Sequence, residues 1–215
     1  MKNILLTGFE PFGGEAINPS WEVARALEGE SLAGARVQVR CLPTAFASAP
    51  LALQDALSAV QPVLVVALGQ ASGRAEVSIE RVALNLMDAR IADNHGARPL
   101  DQPVRVGAPA AYFSTLPVHA MRDGLRAAGH PAGLSLSAGA FVCNQVFYLL
   151  QHALDGRGLR SGFIHLPALP QQAARHTPAV PSMALAAQTD AIRLALVLAM
   201  SAEGGSRSAE GSPSS

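Results

Sequence analysis

Apolar residues along this chain fall into short runs punctuated by glycine, proline and polar turns, and the runs alternate between strand-like and helix-like spacing. Residues 2–7 (KNILLT) form an apolar run ended by Gly8 and predict a buried first strand. A loop rich in glycine and proline follows, GFEPFGGEAINPS, and Asn18-Pro19 predicts a helix start with Asn as N-cap and Pro at the first helical position. Helix is expected from Trp21 to Leu27, strand over 36–42 and an Ala/Leu helix over 47–60. Pro62 opens VLVVAL, a continuous apolar run bounded by Gly69, which reads as a parallel strand buried on both faces. Strand-like character returns over 77–86, helix over 117–128 and strand at LSLS (134–137). A helix from about 143 to 154, a strand at SGFIH (161–165) and a last helix over 183–200 complete the pattern. Strands alternating with helices predict an α/β fold: a three-layer α/β/α sandwich around a largely parallel, mixed central sheet. The expected organisation is a single domain over 1–200 and a disordered tail over 201–215, where six Ser, three Gly and one Pro crowd SAEGGSRSAEGSPSS.

Composition narrows the function classes. Of 215 residues, 49% are hydrophobic and 15% charged, too apolar for a disordered chain. Aromatics are only 5%, so the core must come from Ala, Val, Leu and Ile, which suits helices layered on a sheet. Sixteen Lys+Arg balance sixteen Asp+Glu, so the basic excess of a nucleic-acid surface is missing. Zero net charge gives little colloidal repulsion, and a homo-oligomer, dimer or tetramer, is expected. The apolar runs Ile4–Leu6 and Leu194–Met200 are too short for a signal-peptide core or a membrane span, so the expected location is cytoplasmic. Two cysteines cannot build a disulfide framework, and in a reducing compartment a free thiol is available as a nucleophile.

Cys143 follows the strand-like LSLS and the turn Ala138-Gly139, at the start of a helix whose Phe147, Leu150 and Leu154 share one face. Helix N-terminal N–H groups and the positive dipole end favour a thiolate and can hold an oxyanion. The bland alternative is a small buried hydrophobe, the usual role of a free cysteine and the one expected of Cys41. Ser135 lacks the last glycine of a nucleophile elbow and lies within a strand-like run, so it is excluded. Among six histidines, His165 is placed best to serve as base: it ends a strand, where sites collect in α/β sheets, and shares the strand phase of Phe163. His152 lies nine residues beyond Cys143 on the same helix, out of reach. Glu80 shares the apolar phase of Val82, Leu84 and Leu86, where a carboxylate needs a partner. If the strand instead starts after it, Glu80 is simply exposed. Metal-ligand spacing and phosphate-binding glycine loops are missing, so neither metal nor cofactor is expected.

These residues lie in segments that together resemble the pyroglutamyl peptidase I (pyrrolidone-carboxylate peptidase) family of cysteine peptidases. The resemblance runs from about residue 3 to about 198. It rests on LLTGFEPFGG with NPS, on ALGQASGR, on SIERVALN continuing into DARIADN, on SLSAGAFVCN and on GFIHLPALPQQ. It implies Cys143 as nucleophile, His165 as base and Glu80 as the carboxylate that orients it. The implied substrates are peptides with an N-terminal pyroglutamyl (5-oxoproline) residue, with no nucleic-acid or membrane partner. The implied lactam pocket comprises Phe9, Phe12, Gln70, Ile91, Phe141 and Val142, with Arg90 beside it to polarise the carbonyl. Two phenylalanines can sandwich a flat lactam ring, while amide groups read its N–H and C=O. The sequence departs from the family pattern at Met87, Ala92 and Ala168, away from the three catalytic positions. A cysteine amidase acting on another small acyl group and a non-catalytic pyroglutamate binder are the alternatives, and substrate screening and thiol reactivity separate them.

Overall fold

The structure, a computed structural model, describes residues 2–201. In chain order it runs β1 (Lys2–Phe9), α1 (Pro19–Ala26), β2 (Ser31–Leu32), β3 (Ala35–Leu42), α2 (Ala49–Val60) and β4 (Leu64–Gln70). Then come β5 (Val77–Glu80), β6 (Val82–Leu84), β7 (Ala111–Phe113), α3 (Val118–Ala127), β8 (Ala132–Ser135) and α4 (Val142–Leu154). The chain closes with β9 (Arg160–Leu166), α5 (Pro170–Ala173) and α6 (Leu185–Ser201). Seven strands form one sheet in the order β2-β3-β1-β4-β9-β5-β8, and β6 pairs with β7 in a separate ribbon. Neighbours are parallel except at β2/β3 and β5/β9. The expected three-layer architecture with a largely parallel, mixed sheet is what the chain adopts.

Strand periodicity assigns the two cores. Ile4, Leu6, Leu64, Val66, Leu68, Ile164 and Leu166 point to the face covered by α1, α3 and α6. Leu5, Val65, Ala67 and Phe163 point to the face covered by α2 and α4. With helices on both faces, every residue of β4 is buried, which is why its sequence shows a continuous run rather than alternation. Each fully buried Leu, Ile or Val adds about 1.5–3 kcal/mol relative to an exposed one.

Local chemistry fixes the first turn of α1 as the sequence predicts. Asn18 accepts from the Ser20 backbone N–H at 3.0 Å and from its hydroxyl at 2.8 Å, and Pro19 occupies the first helical position. The Ser20 hydroxyl oxygen in turn accepts from Phe9 N–H at 3.0 Å, which seats the helix on the end of β1.

Four expectations need correction. The strand over 77–86 is two strands in two sheets: after Glu80 the chain leaves the main sheet, and β6 pairs only with β7. Glu80 therefore shares its face with Phe163 of β9, opposite which it sits, not with Val82, Leu84 and Leu86. LSLS is displaced, because β8 pairs with β5 over Ala132–Ser135; β5 ends opposite Ser135, and Leu136 stands 69% exposed. Cys41 is exposed rather than core filler, although it follows the inward phase of Val37 and Val39 one residue before the end of β3. Of the tail expected over 201–215, Ser201 closes α6, and the rest lies outside the described residues.

The close seat of α1 on β1 has a measurable consequence. A Cβ on Gly8 would lie 2.5 Å from the Ser20 carbonyl oxygen and 2.7 Å from Trp21 Cα, both backbone atoms that cannot rotate away. Gly8→Ala should lower stability by about 1–3 kcal/mol, read as a lower urea midpoint with an unchanged m-value.

Candidate active site

Gly69 fixes how near α4 comes to the sheet. It pairs with His165 across the parallel β4/β9 ladder, and its phase faces α4. A Cβ there would lie 2.7 Å from the Phe163 ring and 3.0 Å from Cys143 Sγ. Cys143, the second residue of α4, thus rests its sulfur on a glycine whose ladder neighbour, about 4.8 Å away across the sheet, is His165. Phe163 supports both, its ring centroid 4.8 Å from the imidazole and 5.8 Å from Phe147 of α4.

Glu80 completes the group from the other side. Because β5 runs antiparallel to β9, Glu80 faces Phe163 and Ser78 faces His165. The carboxylate is fully buried, and its Oε1 lies 2.8 Å from His165 Nδ1 and 2.7 Å from Arg74 Nη1. Burial alone would raise its pKa. Hydrogen bonding and charge from His165, with a further bond from Arg74, more than offset that and hold Glu80 below the ordinary carboxylate range. An ionised carboxylate only accepts, so His165 carries its proton on Nδ1 and keeps the Nε2 lone pair free for a thiol.

The helix start supplies donors. Phe141 is the N-cap with extended backbone and gives no side-chain cap, so the first-turn N–H groups of α4 remain available to an anion. Asn144 anchors that turn. Its Oδ1 accepts from Leu84 N–H, and its Nδ2 donates to the Leu84 and Leu86 carbonyls, all at 2.9 Å. Burial, reinforced by the Glu80 charge, pushes the Cys143 thiol up to about 12, against smaller opposing effects of its own backbone N–H and Arg74. Desolvation here outweighs the helix-end effect expected from sequence.

An aromatic cluster adjoins the cysteine. Phe141 lies 6.1 Å from Phe12 and meets Phe46 edge-on at 5.2 Å. Ile91 and Arg90 are exposed on the loop after β6. That loop is strapped down at several points: Asp93 accepts from Phe46, His95 and Ala97 N–H groups at 2.7–2.9 Å. Asn94 Nδ2 donates to the Pro11 carbonyl, and Asp88 N–H donates to the Ala140 carbonyl. Val142 is buried within the α4 core. Phe9 belongs to β1 rather than the loop, buried 6.3 Å from Phe163. Gln70 ends β4 with its amide engaged by Ser72 and Gln172.

The structure therefore brings together Cys143, His165 and Glu80, and groups Phe12 with Phe141 beside them, while Phe9 and Gln70 stand on supporting positions. Sequence reasoning missed Arg74, Phe46, Asp93, Asn144 and Gln172. Arg74 closes ALGQASGR and Asn144 follows the cysteine, so both lay within quoted motifs, but nothing local reveals which partner a polar side chain finds across 60 residues of chain. Met87 fills space against α4 and accepts a long contact from Gln145 Nε2, and Ala168 is buried. A cleft lined by Tyr112, Leu116, Leu159 and Arg160 lies at the opposite end of β9 and includes none of the candidate residues.

Two outcomes follow from the electrostatics. Alkylation of Cys143 by iodoacetamide in the free protein should accelerate steadily from pH 7 to pH 9, by up to about tenfold per unit; a rate already level at pH 7 would show a preformed thiolate. Glu80 is held below its usual range, so it adds stability above the unfolded carboxylate pKa, lost as pH falls through the folded value. Acid titration of unfolding free energy should therefore fall more steeply below about pH 4.5 in the parent than in Glu80→Gln.

Known proteins resemble this chain over nearly its whole length. The family model described as pyroglutamyl peptidase matches residues 2–202. The pyrrolidone-carboxylate peptidase of Cupriavidus necator is 53% identical over 205 residues, covering 94% of each chain. That of Chromobacterium violaceum is 54% identical over 200 residues, covering 93% of each. Among solved structures, pyroglutamyl peptidase I from Bacillus amyloliquefaciens superposes with a TM-score of 0.90 at 39% identity, over 94% of this chain and 98% of that one. A mutant pyrrolidone carboxyl peptidase from Pyrococcus furiosus gives a TM-score of 0.89 at 41% identity, over 92% of this chain and 98% of that one. With a family model spanning nearly the whole sequence and relatives above half identity, the chain belongs to the pyroglutamyl peptidase family of cysteine peptidases.

Proposed function

We propose that this chain hydrolyses the amide bond after an N-terminal pyroglutamyl residue through a Cys143–His165–Glu80 triad and a thioester intermediate. The observation that carries the reading is the chain of contacts from Glu80 Oε1 through His165 Nδ1 to the strand position on which Cys143 Sγ rests. With burial pushing the thiol pKa up, proton transfer accompanies attack. His165 Nε2 takes the Sγ proton as sulfur bonds to the pyroglutamyl carbonyl carbon, and first-turn N–H groups of α4 receive the developing oxyanion. The tetrahedral intermediate collapses: the C–N bond breaks, His165 protonates the leaving amine, and a thioester remains. Water, deprotonated by His165, then attacks the thioester, releasing pyroglutamate and restoring the thiol. Glu80 stabilises the imidazolium that forms at each step.

Specificity follows from what the walls are made of. Phe12 and Phe141 lie 6.1 Å apart with rings tilted by 37°, an apolar surface against which a flat lactam can rest; the substrate's blocked N-terminus brings no charge, and these side chains carry none. The bordering loop, held by Asp93 and Asn94, is in place before substrate arrives.

With a pyroglutamyl anilide, Cys143→Ala should lower kcat/KM by roughly 10⁴-fold or more while leaving the unfolding midpoint close to the parent's. Glu80→Gln should be roughly a hundredfold less damaging, since it orients and stabilises rather than reacts. Full activity in Cys143→Ala would sink the assignment.

A further inference from the structure

Arg74 has no part in the triad as proposed, yet it is built into it. Its Nη1 lies 2.7 Å from Glu80 Oε1, the same oxygen that His165 Nδ1 meets at 2.8 Å. Its Nη2 donates to the Ser137 carbonyl at 3.2 Å, in the turn that leads into the nucleophile helix. That turn is tied internally: the Ser135 hydroxyl donates to the Ser137 carbonyl, and Gly139 N–H donates to the Ser137 hydroxyl. One guanidinium therefore touches both the orienting carboxylate and the segment that delivers Cys143. Glu80 is entirely buried whereas the Arg74 side chain is one-third exposed, so the cation links the buried anion to the surface.

We infer that Arg74 is a positioning residue for catalysis, acting through Glu80 to set the proton affinity of the Glu80–His165 pair and through Ser137 to hold the entry to the nucleophile helix. The inference rests on the triad reading given above. A fixed positive charge sharing one carboxylate oxygen with an imidazole withdraws part of the carboxylate's attraction for an imidazolium. Without that charge, the carboxylate would attract an imidazolium more strongly, and proton transfer from Cys143 would be less well matched. The groups facing this cluster are Glu80 from β5, His165 from β9, Ser135 at the end of β8, Cys143 from α4 and Arg74 itself. Glu76, the nearest further carboxylate along the chain, faces Arg126 at 3.9 Å instead.

The test compares Arg74→Gln, which keeps hydrogen-bond donors but removes the charge, with Arg74→Lys, which keeps the charge. The readout is the pH profile of kcat/KM on a pyroglutamyl anilide, with Cys143→Ala run alongside. Arg74→Gln should move the acid limb about one pH unit upward, and Arg74→Lys should leave the limb in place with a lower plateau, because one ammonium cannot hold both Glu80 and Ser137. In a Glu80→Gln background, Arg74→Gln should move the limb no further. A limb that stays put in Arg74→Gln, or moves equally in both variants, overturns the inference. Should Arg74→Gln not fold, Arg74→Lys decides: an unmoved limb with a lowered plateau supports the inference, and a displaced one overturns it. An active Cys143→Ala would instead overturn the triad reading itself, so the two failures are distinguishable.

Discussion

A carboxylate with no solvent contact is among the least tolerable groups a protein can bury, and Glu80 is one. Desolvation works to neutralise it, and only specific donors keep it ionised. That requirement shapes the surrounding architecture. A donor must come from β9, which sets His165 and fixes its tautomer; another must come from the β4–β5 loop, which sets Arg74. The one antiparallel pairing in the middle of the sheet, β5 against β9, places Glu80 beside Phe163, below the imidazole it must reach. In an all-parallel sheet the same strand would be entered from the other end, and its last residue would meet different neighbours.

The same low-polarity surroundings act on the cysteine in the opposite sense to its helix. The N-terminus of α4 offers donors and a positive dipole end, but burial and the neighbouring anion push the thiol's pKa up. A protonated sulfur is less open to adventitious oxidation than a thiolate.

Much of this was legible in the sequence because it was local. The Asn18-Pro19 start of α1, the continuous apolar run of β4, the apolar face of α4 and the His165 phase all depend on neighbours a few residues away. So did the order of strands and helices that implied a layered α/β fold. What was not legible depended on partners distant in the chain. The break after Glu80 is decided by which strands are available to pair, and β5 simply runs out of partner at Ser135. The thiol's protonation depends on a charge 63 positions earlier in the sequence and on burial that no motif records. Phe46 and Asp93 matter because one N–H of the first meets the carboxylate of the second across 47 residues.

The strapped loop over the aromatic walls has a thermodynamic meaning of its own. Asp93 gathers three backbone N–H groups and Asn94 ties the loop to Pro11, so the wall carrying Ile91 needs no ordering when a ligand enters. The entropy of arranging that wall is spent during folding, once, rather than at every binding event. A segment held by so many backbone bonds has no slack, so anything that packs against Ile91 meets a fixed surface rather than a compliant one.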